Sequence, residues 1–141
     1  MGNQLVALAP SQIWPVEHYL ADIADDARYE SSLGSTRFFK VARARTNTGM
    51  VVVKVFDIHD PSLPMKGYQE KLIEMKNILT PTFNCLPFER VILTERAGFI
   101  MRQYTKYSMY DRLSTRPFLT PIEKKWVGFQ LLSAFKQVGQ C

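Results

Sequence analysis

One lysine, Lys54, lies inside a run of β-branched and aromatic residues, Val51–Phe56. Crowding at the β-carbon makes valine favour extended backbone, so this run predicts a buried strand. An ammonium group in a buried strand loses its hydration unless an anion takes the place of water. Two interpretations are open: Lys54 extends its side chain to the edge of the sheet, or it binds an anionic group such as a phosphate.

The residues before that strand contain part of a second phosphate-binding pattern. A glycine-rich loop of the form G-x-G-x-x-G-x-V covers nucleotide phosphates with its backbone. Gly34 and Val41 match its first glycine and its closing valine, whereas Thr36 and Phe39 occupy the second and third glycine positions. Side chains at those two positions hinder a close approach of the backbone to a phosphate. The lysine strand that follows strengthens the interpretation of this half-matched loop as a phosphate-binding loop.

Both features require strands to position them, and the flanking sequence predicts them. A first strand is expected at Arg28–Leu33. A second is expected at Arg37–Arg45, because apolar and polar residues alternate there. Asn47-Thr48-Gly49 has the composition of a hairpin turn that leads into the lysine strand. Two further strands are predicted at Leu86–Leu93 and Gly98–Tyr104.

A helix is predicted at Tyr68–Leu79, between the lysine strand and the last two strands, because apolar residues recur there at helical spacing. The helix carries Glu70 and Glu74. Glu70 is the preferred acidic partner for Lys54, and a solvated helix face is the alternative for either glutamate. Farther along, Thr120-Pro121-Ile122-Glu123 is a capping box with proline at the first helical position. The helix that it begins is apolar nearly all round, which is typical of burial on several sides.

The composition limits the class of protein, its compartment and its partners. The chain has 141 residues, 46% of them hydrophobic and 22% charged, which is a globular balance. Two cysteines form no disulfide framework, and a reducing compartment fits best. The net charge of +5 favours anionic partners, although on charge alone ordinary surface lysines and arginines are the better explanation. His18 and His59 are isolated in the sequence and support no metal site.

The order of these elements resembles the small lobe of a protein kinase, with Val51–Lys54 at the V-A-I-K motif. The expected fold is α+β: a five-stranded antiparallel sheet with one helix, then a hinge at Gln103-Tyr104-Thr105 and the first helices of a large lobe. The expected domains are a leader at 1–27, the small lobe at 28–104, and the hinge with the incomplete large lobe at 105–141.

Longer blocks resemble one family more closely: the regulatory subunit of the class III phosphatidylinositol 3-kinase complex, a vacuolar-protein-sorting protein with a serine/threonine kinase-like domain. The resemblance covers the amino-terminal part of that subunit. The blocks that carry it are Met1–Leu5, Ala9–Ile13, Ser32–Ala44, Val51–Phe56, Asn84–Phe88 and Tyr110–Leu119.

The resemblance implies ATP binding, with Gly34 at the phosphates, Val41 and Val52 on either side of the adenine, and Lys54 contacting phosphate. The acidic partner carries over poorly, because Lys71 falls at the usual glutamate position and the preferred partner, Glu70, lies next to it. It implies N-myristoylation at Gly2, although Val6 stands where the general pattern has serine or threonine. The implied partners are the catalytic class III phosphatidylinositol 3-kinase, beclin-type subunits and a membrane surface. The implied location is cytoplasmic, peripheral on late endosome and autophagosome membranes, with roles in endosomal and vacuolar sorting and in autophagy.

The chain contains no histidine-glycine-aspartate catalytic loop and no metal-binding aspartate motif after it. We therefore expect a fragment or an alternatively ended product without catalytic competence, with weak or absent ATP binding and no magnesium site. The alternative interpretation is a non-enzymatic, membrane-tethered interaction module. Binding to nucleic acid is not expected, because Arg37–Val41 lacks the glycines of an RNA-binding strand and the strand order differs from that fold.

Overall fold

The computed structural model describes residues 14–81 and 84–140. The strands are β1 (Arg28–Ser35), β2 (Lys40–Thr46), β3 (Gly49–Asp57), β4 (Arg90–Leu93) and β5 (Ala97–Gln103). The helices are α1 (Val16–Leu20), α2 (Met65–Leu79), α3 (Met109–Leu113) and α4 (Pro121–Val138), with a 3₁₀ turn at Ala21–Ile23. The lipidation candidate Gly2 lies outside the described residues.

The strands of the described residues form one antiparallel sheet in the order β1-β2-β3-β5-β4. This confirms the predicted α+β fold with a five-stranded antiparallel sheet and one helix inserted before the last two strands. The β2–β3 hairpin closes where Thr46 pairs with Gly49, and Gly49 has a φ of 140°. That backbone conformation favours glycine, so the predicted hairpin turn has a physical basis.

Two strands begin later than the sequence pattern predicts. β2 begins at Lys40 and not at Arg37, because the Thr36 amide donates to the Phe39 carbonyl at 2.7 Å and closes a turn over those residues. β4 begins at Arg90 and not at Leu86. Pro87 has no amide hydrogen to give to a sheet, which favours irregular backbone before β4.

The core lies on one face of the sheet and contains apolar side chains from the three central strands, β2, β3 and β5. Alternate residues of a strand point to the same face, which is why β3 contributes every second valine. The buried strand residues of this core are Ala42, Ala44, Val51, Val53, Val55, Ala97, Phe99 and Met101.

The leader covers that core, which its position before β1 did not reveal. Tyr19 and Leu20 are each 1% exposed, and Ile23 is 4% exposed. The Tyr19 hydroxyl donates to the Asp57 carboxylate at 2.7 Å, and Arg96 makes a bidentate contact with Asp22. Five residues of this segment therefore belong to the core cluster: Val16, Tyr19, Leu20, Ile23 and Ala27. The domain boundary at residue 28 stays a prediction.

The opposite face of the sheet faces α2. The Gln69 side-chain amide donates to the Val91 carbonyl at 3.3 Å, and the Lys76 ammonium donates to the Glu89 carbonyl. No residue of α2 is fully buried. The helix therefore lies beside β4 without being packed tightly onto the sheet.

The capping box predicted for α4 is present. The Thr120 hydroxyl accepts from the Glu123 amide at 3.3 Å, and the Glu123 carboxylate accepts from the Thr120 amide at 2.7 Å. The apolar side chains of α4 are exposed in the described chain, and Phe135 reaches 75%. No helix in the described part of the chain is long and apolar enough to span a membrane.

Candidate functional site

Lys54 lies on the face of the sheet opposite the core, in the middle of a row of paired residues. It pairs with Val41 of β2 on one side and Ile100 of β5 on the other. Val52 is two residues earlier on the same strand, shares that face, and is 3% exposed. The structure therefore brings Val41, Val52 and Lys54 together on one surface of the sheet.

Gly34 joins this group from the edge strand. It pairs with Val41 next to an irregularity in the β1–β2 register, and its φ is 102°. A side chain at this position would meet no atom within 4 Å, so the requirement for glycine comes from the backbone conformation and not from crowding. Four of the predicted site residues thus occupy adjacent positions.

The loop between β1 and β2 is closed on itself. The Thr36 amide donates to the Phe39 carbonyl at 2.7 Å, and the Phe39 amide donates to the Thr36 hydroxyl at 3.1 Å. The Gly34 amide donates to the Ser32 hydroxyl at 3.2 Å. In a phosphate loop such amides are free to donate to a nucleotide. Three of them are engaged within the protein here.

The Lys54 ammonium lies 6.0 Å from the centre of the Phe39 ring. This is the outer limit for a cation–π contact. The ion pairs of the described residues include none with Lys54, and Glu70 lies exposed on α2. The structure thus does not bring Glu70 and Lys54 into an ion pair, and the role of Glu70 remains a prediction.

Two arginines border the same surface, and the sequence analysis did not single them out. Arg43 and Arg102 each pair with Val52, from β2 and β5 respectively, so both belong to the Lys54 face. The Arg43 guanidinium lies 5.6 Å from the Tyr104 ring and 3.5 Å from the Glu30 carboxylate. Their position on this face could be predicted from the sequence, because alternate residues of a strand share a face. Arg43 is two residues after Val41, and Arg102 is two residues after Ile100. The face therefore carries three cationic side chains, of which Arg43 lies beside the Glu30 carboxylate.

An apolar cavity of about 340 Å³ separates α2 from this face of the sheet. Gln69 is its one amide-bearing wall residue. The aromatic and aliphatic residues that line it include Phe39, Phe56, Tyr68, Leu72, Val91 and Ile100. The open space explains why α2 contributes no fully buried side chain.

Tyr19 and Asp57 form a hydrogen-bonded pair on the core side of the sheet. Burial, followed by the hydrogen bond to Asp57, raises the pKa of Tyr19 to about 12. His59 lies beside the same carboxylate, with Nδ1 3.3 Å from Asp57. Among the described residues no group of three His, Cys, Asp or Glu side chains is arranged to hold a metal ion.

The sheet order, the helix beside β4 and the lysine-bearing β3 define a small lobe of protein-kinase type. No protein-family model matches the chain. Curated sequences do: the chain is VPS15-like and corresponds to the amino-terminal part of VPS15 serine/threonine-protein kinases.

The match extends over most of the chain. It is 42% identical over 125 residues, or 86% of the chain, to the probable serine/threonine-protein kinase vps15 of Dictyostelium discoideum. It is 36% identical over 97% of the chain to serine/threonine-protein kinase VPS15 of Arabidopsis thaliana, and 35% identical over 98% to that of Saccharomyces cerevisiae. The matched regions are 6%, 9% and 10% of those relatives, respectively.

Proposed function

We propose that the chain is the nucleotide-binding small lobe of a protein-kinase-like regulatory subunit in the class III phosphatidylinositol 3-kinase complex. The observation that carries this proposal is the shared face of Val41, Val52 and Lys54, with Gly34 paired to Val41. The names of the curated relatives support a serine/threonine kinase ancestry. The roles in endosomal and vacuolar sorting and in autophagy belong to this proposal.

The described residues fit the adenine of ATP better than its phosphates. The apolar side chains of Val41 and Val52 suit the flat faces of adenine, and Lys54 supplies a positive charge for a phosphate. The loop fits the phosphates poorly, because the amides of Gly34, Thr36 and Phe39 are already bonded. The proposal is therefore weak ATP binding that depends on Lys54, without phosphoryl transfer and without a step that involves magnesium.

A thermal-shift titration with ATP tests this proposal on the 141-residue chain. We expect a small, saturable rise in melting temperature that persists when magnesium is chelated, because ligand binding stabilises the folded state by mass action. Lys54→Met removes the charge and should abolish the rise. Lys66→Met is the matched control, because Lys66 is an exposed lysine on α2. Kinase activity from the purified chain, or an equal rise in Lys54→Met, would contradict the proposal.

The proposal extends to a membrane tether. Gly2 follows the initiator methionine and is the proposed site of N-myristoylation, which would hold the chain at late endosome and autophagosome membranes. Because one acyl chain gives only marginal, reversible binding, the partner subunits of the complex, including a beclin-type subunit, would supply the rest. Co-expression with an N-myristoyltransferase should add one acyl chain by intact mass, and Gly2→Ala should prevent it. An unmodified wild-type amine would count against the tether.

A second candidate function is a non-enzymatic interaction module on the membrane. The apolar exposure of α4 favours it, since Leu132 and Phe135 are 72% and 75% exposed. ATP binding separates the two candidates. A chain that binds its partner subunits and a membrane but gives no Lys54-dependent response to ATP is such a module.

A further inference from the structure

Phe39 is the last residue of the β1–β2 loop, and its ring lies near the Lys54 ammonium. Its ring is 6.0 Å from Lys54 Nζ and 6.1 Å from the Phe56 ring, at an interplanar angle of 60°. Both rings also form part of the wall of the apolar cavity beneath α2. Phe39 therefore contacts the cation of the proposed site and the apolar space beside it.

The loop holds Phe39 in that position. Its amide and its carbonyl are both bonded to Thr36, at 3.1 Å and 2.7 Å. The two bonds close a turn immediately before β2, which begins at Lys40. The ring can leave Lys54 if its side chain rotates or if this turn opens.

The face of Phe39 is a weak substitute for an anion. None of the ion pairs in the described residues involves Lys54, so the ring provides the observed electrostatic contact of this ammonium. A phosphate oxygen forms a stronger, charge-assisted hydrogen bond with an ammonium group. A phosphate and the Phe39 ring compete for the same side of Lys54.

We infer that Phe39 is a gate: in the free chain its ring covers Lys54, and a nucleoside triphosphate binds after the ring has moved away. This deepens the proposed function and rests on it, because it describes how access to the same site is regulated. The gate uses the residue that stands where a glycine-rich loop has its third glycine. Because the contact between the Phe39 ring and Lys54 is weak, we expect its removal to change ATP affinity only modestly.

The test measures ATP binding to the full 141-residue chain and its variants by isothermal titration calorimetry. Phe39→Ala removes the ring and should bind ATP about two- to fivefold more tightly, the range that corresponds to an exposed cation–π contact. Phe39→Leu keeps apolar bulk against Phe56 but removes the aromatic face, so it should show the same direction of change. It also covers the case in which Phe39→Ala fails to fold.

Phe38→Ala is the matched control. Phe38 is the neighbouring phenylalanine of the same loop, is 57% exposed, and lies 5.3 Å from the Arg37 guanidinium. We expect its ATP affinity to equal that of the wild type. The gate is overturned if neither Phe39 variant gains affinity, or if Phe38→Ala gains as much. Lys54→Met separates the two claims: if it binds ATP as the wild type does, the proposed function itself fails.

Discussion

At the scale of single residues, Lys54 is placed by the pairing of strands and not by an acidic partner. Its neighbours across the sheet, Val41 and Ile100, fix its position in the row. A partly buried ammonium without a carboxylate is unfavourable unless another group stabilises it. The Phe39 ring, whose centre is 6.0 Å from the ammonium, supplies the electrostatic contact that the free chain shows.

Gly34 tests whether the backbone of the loop requires glycine. Its φ of 102° is strained for residues with a side chain, so Gly34→Ala should lower the free energy of unfolding by about 1 kcal/mol or more. Gly67→Ala is the control, because Gly67 lies within α2, and the same change there should raise stability by about 0.5 to 1 kcal/mol. Urea unfolding measures both. Equal effects of the two substitutions would contradict this reading of the loop.

Glu70 tests the family expectation of a lysine–glutamate pair. In the structure Glu70 is exposed and forms no ion pair with Lys54. We expect Glu70→Gln to change ATP affinity by less than about twofold, because a contact that is absent contributes nothing. Glu74→Gln serves as the control on the same helix. A selective loss of affinity in Glu70→Gln would show that α2 moves toward Lys54 when nucleotide binds.

At the scale of elements, the leader and β3 are joined by the buried Tyr19–Asp57 hydrogen bond. The pKa of Tyr19 is raised from 10.0 to about 12, which means that the folded state retains the phenol proton more strongly than the unfolded state. The stability from this group is therefore complete below pH 10 and is lost as the pH rises to about 12. The loss is on the order of 2 kcal/mol.

Denaturant unfolding at several pH values between 9 and 12 measures this loss. Tyr19→Phe keeps the ring but removes the hydroxyl, so the variant should lose less stability over that range than the wild type. Tyr110→Phe is the control, because Tyr110 is 78% exposed. Identical slopes for the wild type and Tyr19→Phe would refute the assignment of this pH dependence to Tyr19.

The elements also show what the sequence could and could not predict. The valine run and the Asn47–Gly49 turn are local signals, so β2, β3 and their hairpin were predicted within a few residues. The buried role of the leader was missed, although Val16, Tyr19, Leu20 and Ile23 have helical spacing. The helix α1 is only five residues long, Ile23 lies in the 3₁₀ turn after it, and the strands that they pack against come later in the chain.

The shared face of the candidate site residues was predictable from local signals, whereas their contacts with other elements were not. Gly34, Val41, Val52 and Lys54 belong to neighbouring strands, so register alone brings them together. Which residue lies beside Lys54 depends on how α2 lies against the sheet. The position of the Phe39 ring depends on the turn that closes the β1–β2 loop. Neither arrangement follows from local sequence.

At the scale of the whole molecule, the apolar surface of α4 is the main departure from an ordinary globular exterior. Trp126, Phe129, Leu132 and Phe135 are each 59% exposed or more. Contiguous apolar surface of this kind promotes association. We expect the 141-residue chain to self-associate with rising concentration in sedimentation velocity experiments.

Charged substitutions on α4 test this expectation. Leu132→Lys combined with Phe135→Lys should shift the chain toward monomer without changing the melting temperature of the sheet, because α4 has no extensive contact with the strands. Lys124→Glu with Lys125→Glu alters charge on the same helix without removing apolar surface, so association should persist in that control. A monomeric wild type at all concentrations would contradict the prediction.

The central claim is that the Lys54 face is the nucleotide-binding surface. An amide NMR titration with ATP measures it directly, because each described residue on the sheet reports separately. We predict saturable shifts at Gly34, Val41, Val52 and Lys54 that disappear in Lys54→Met. Shifts confined to the leader side, around Tyr19 and Asp57, or a response that survives Lys54→Met, would contradict the account.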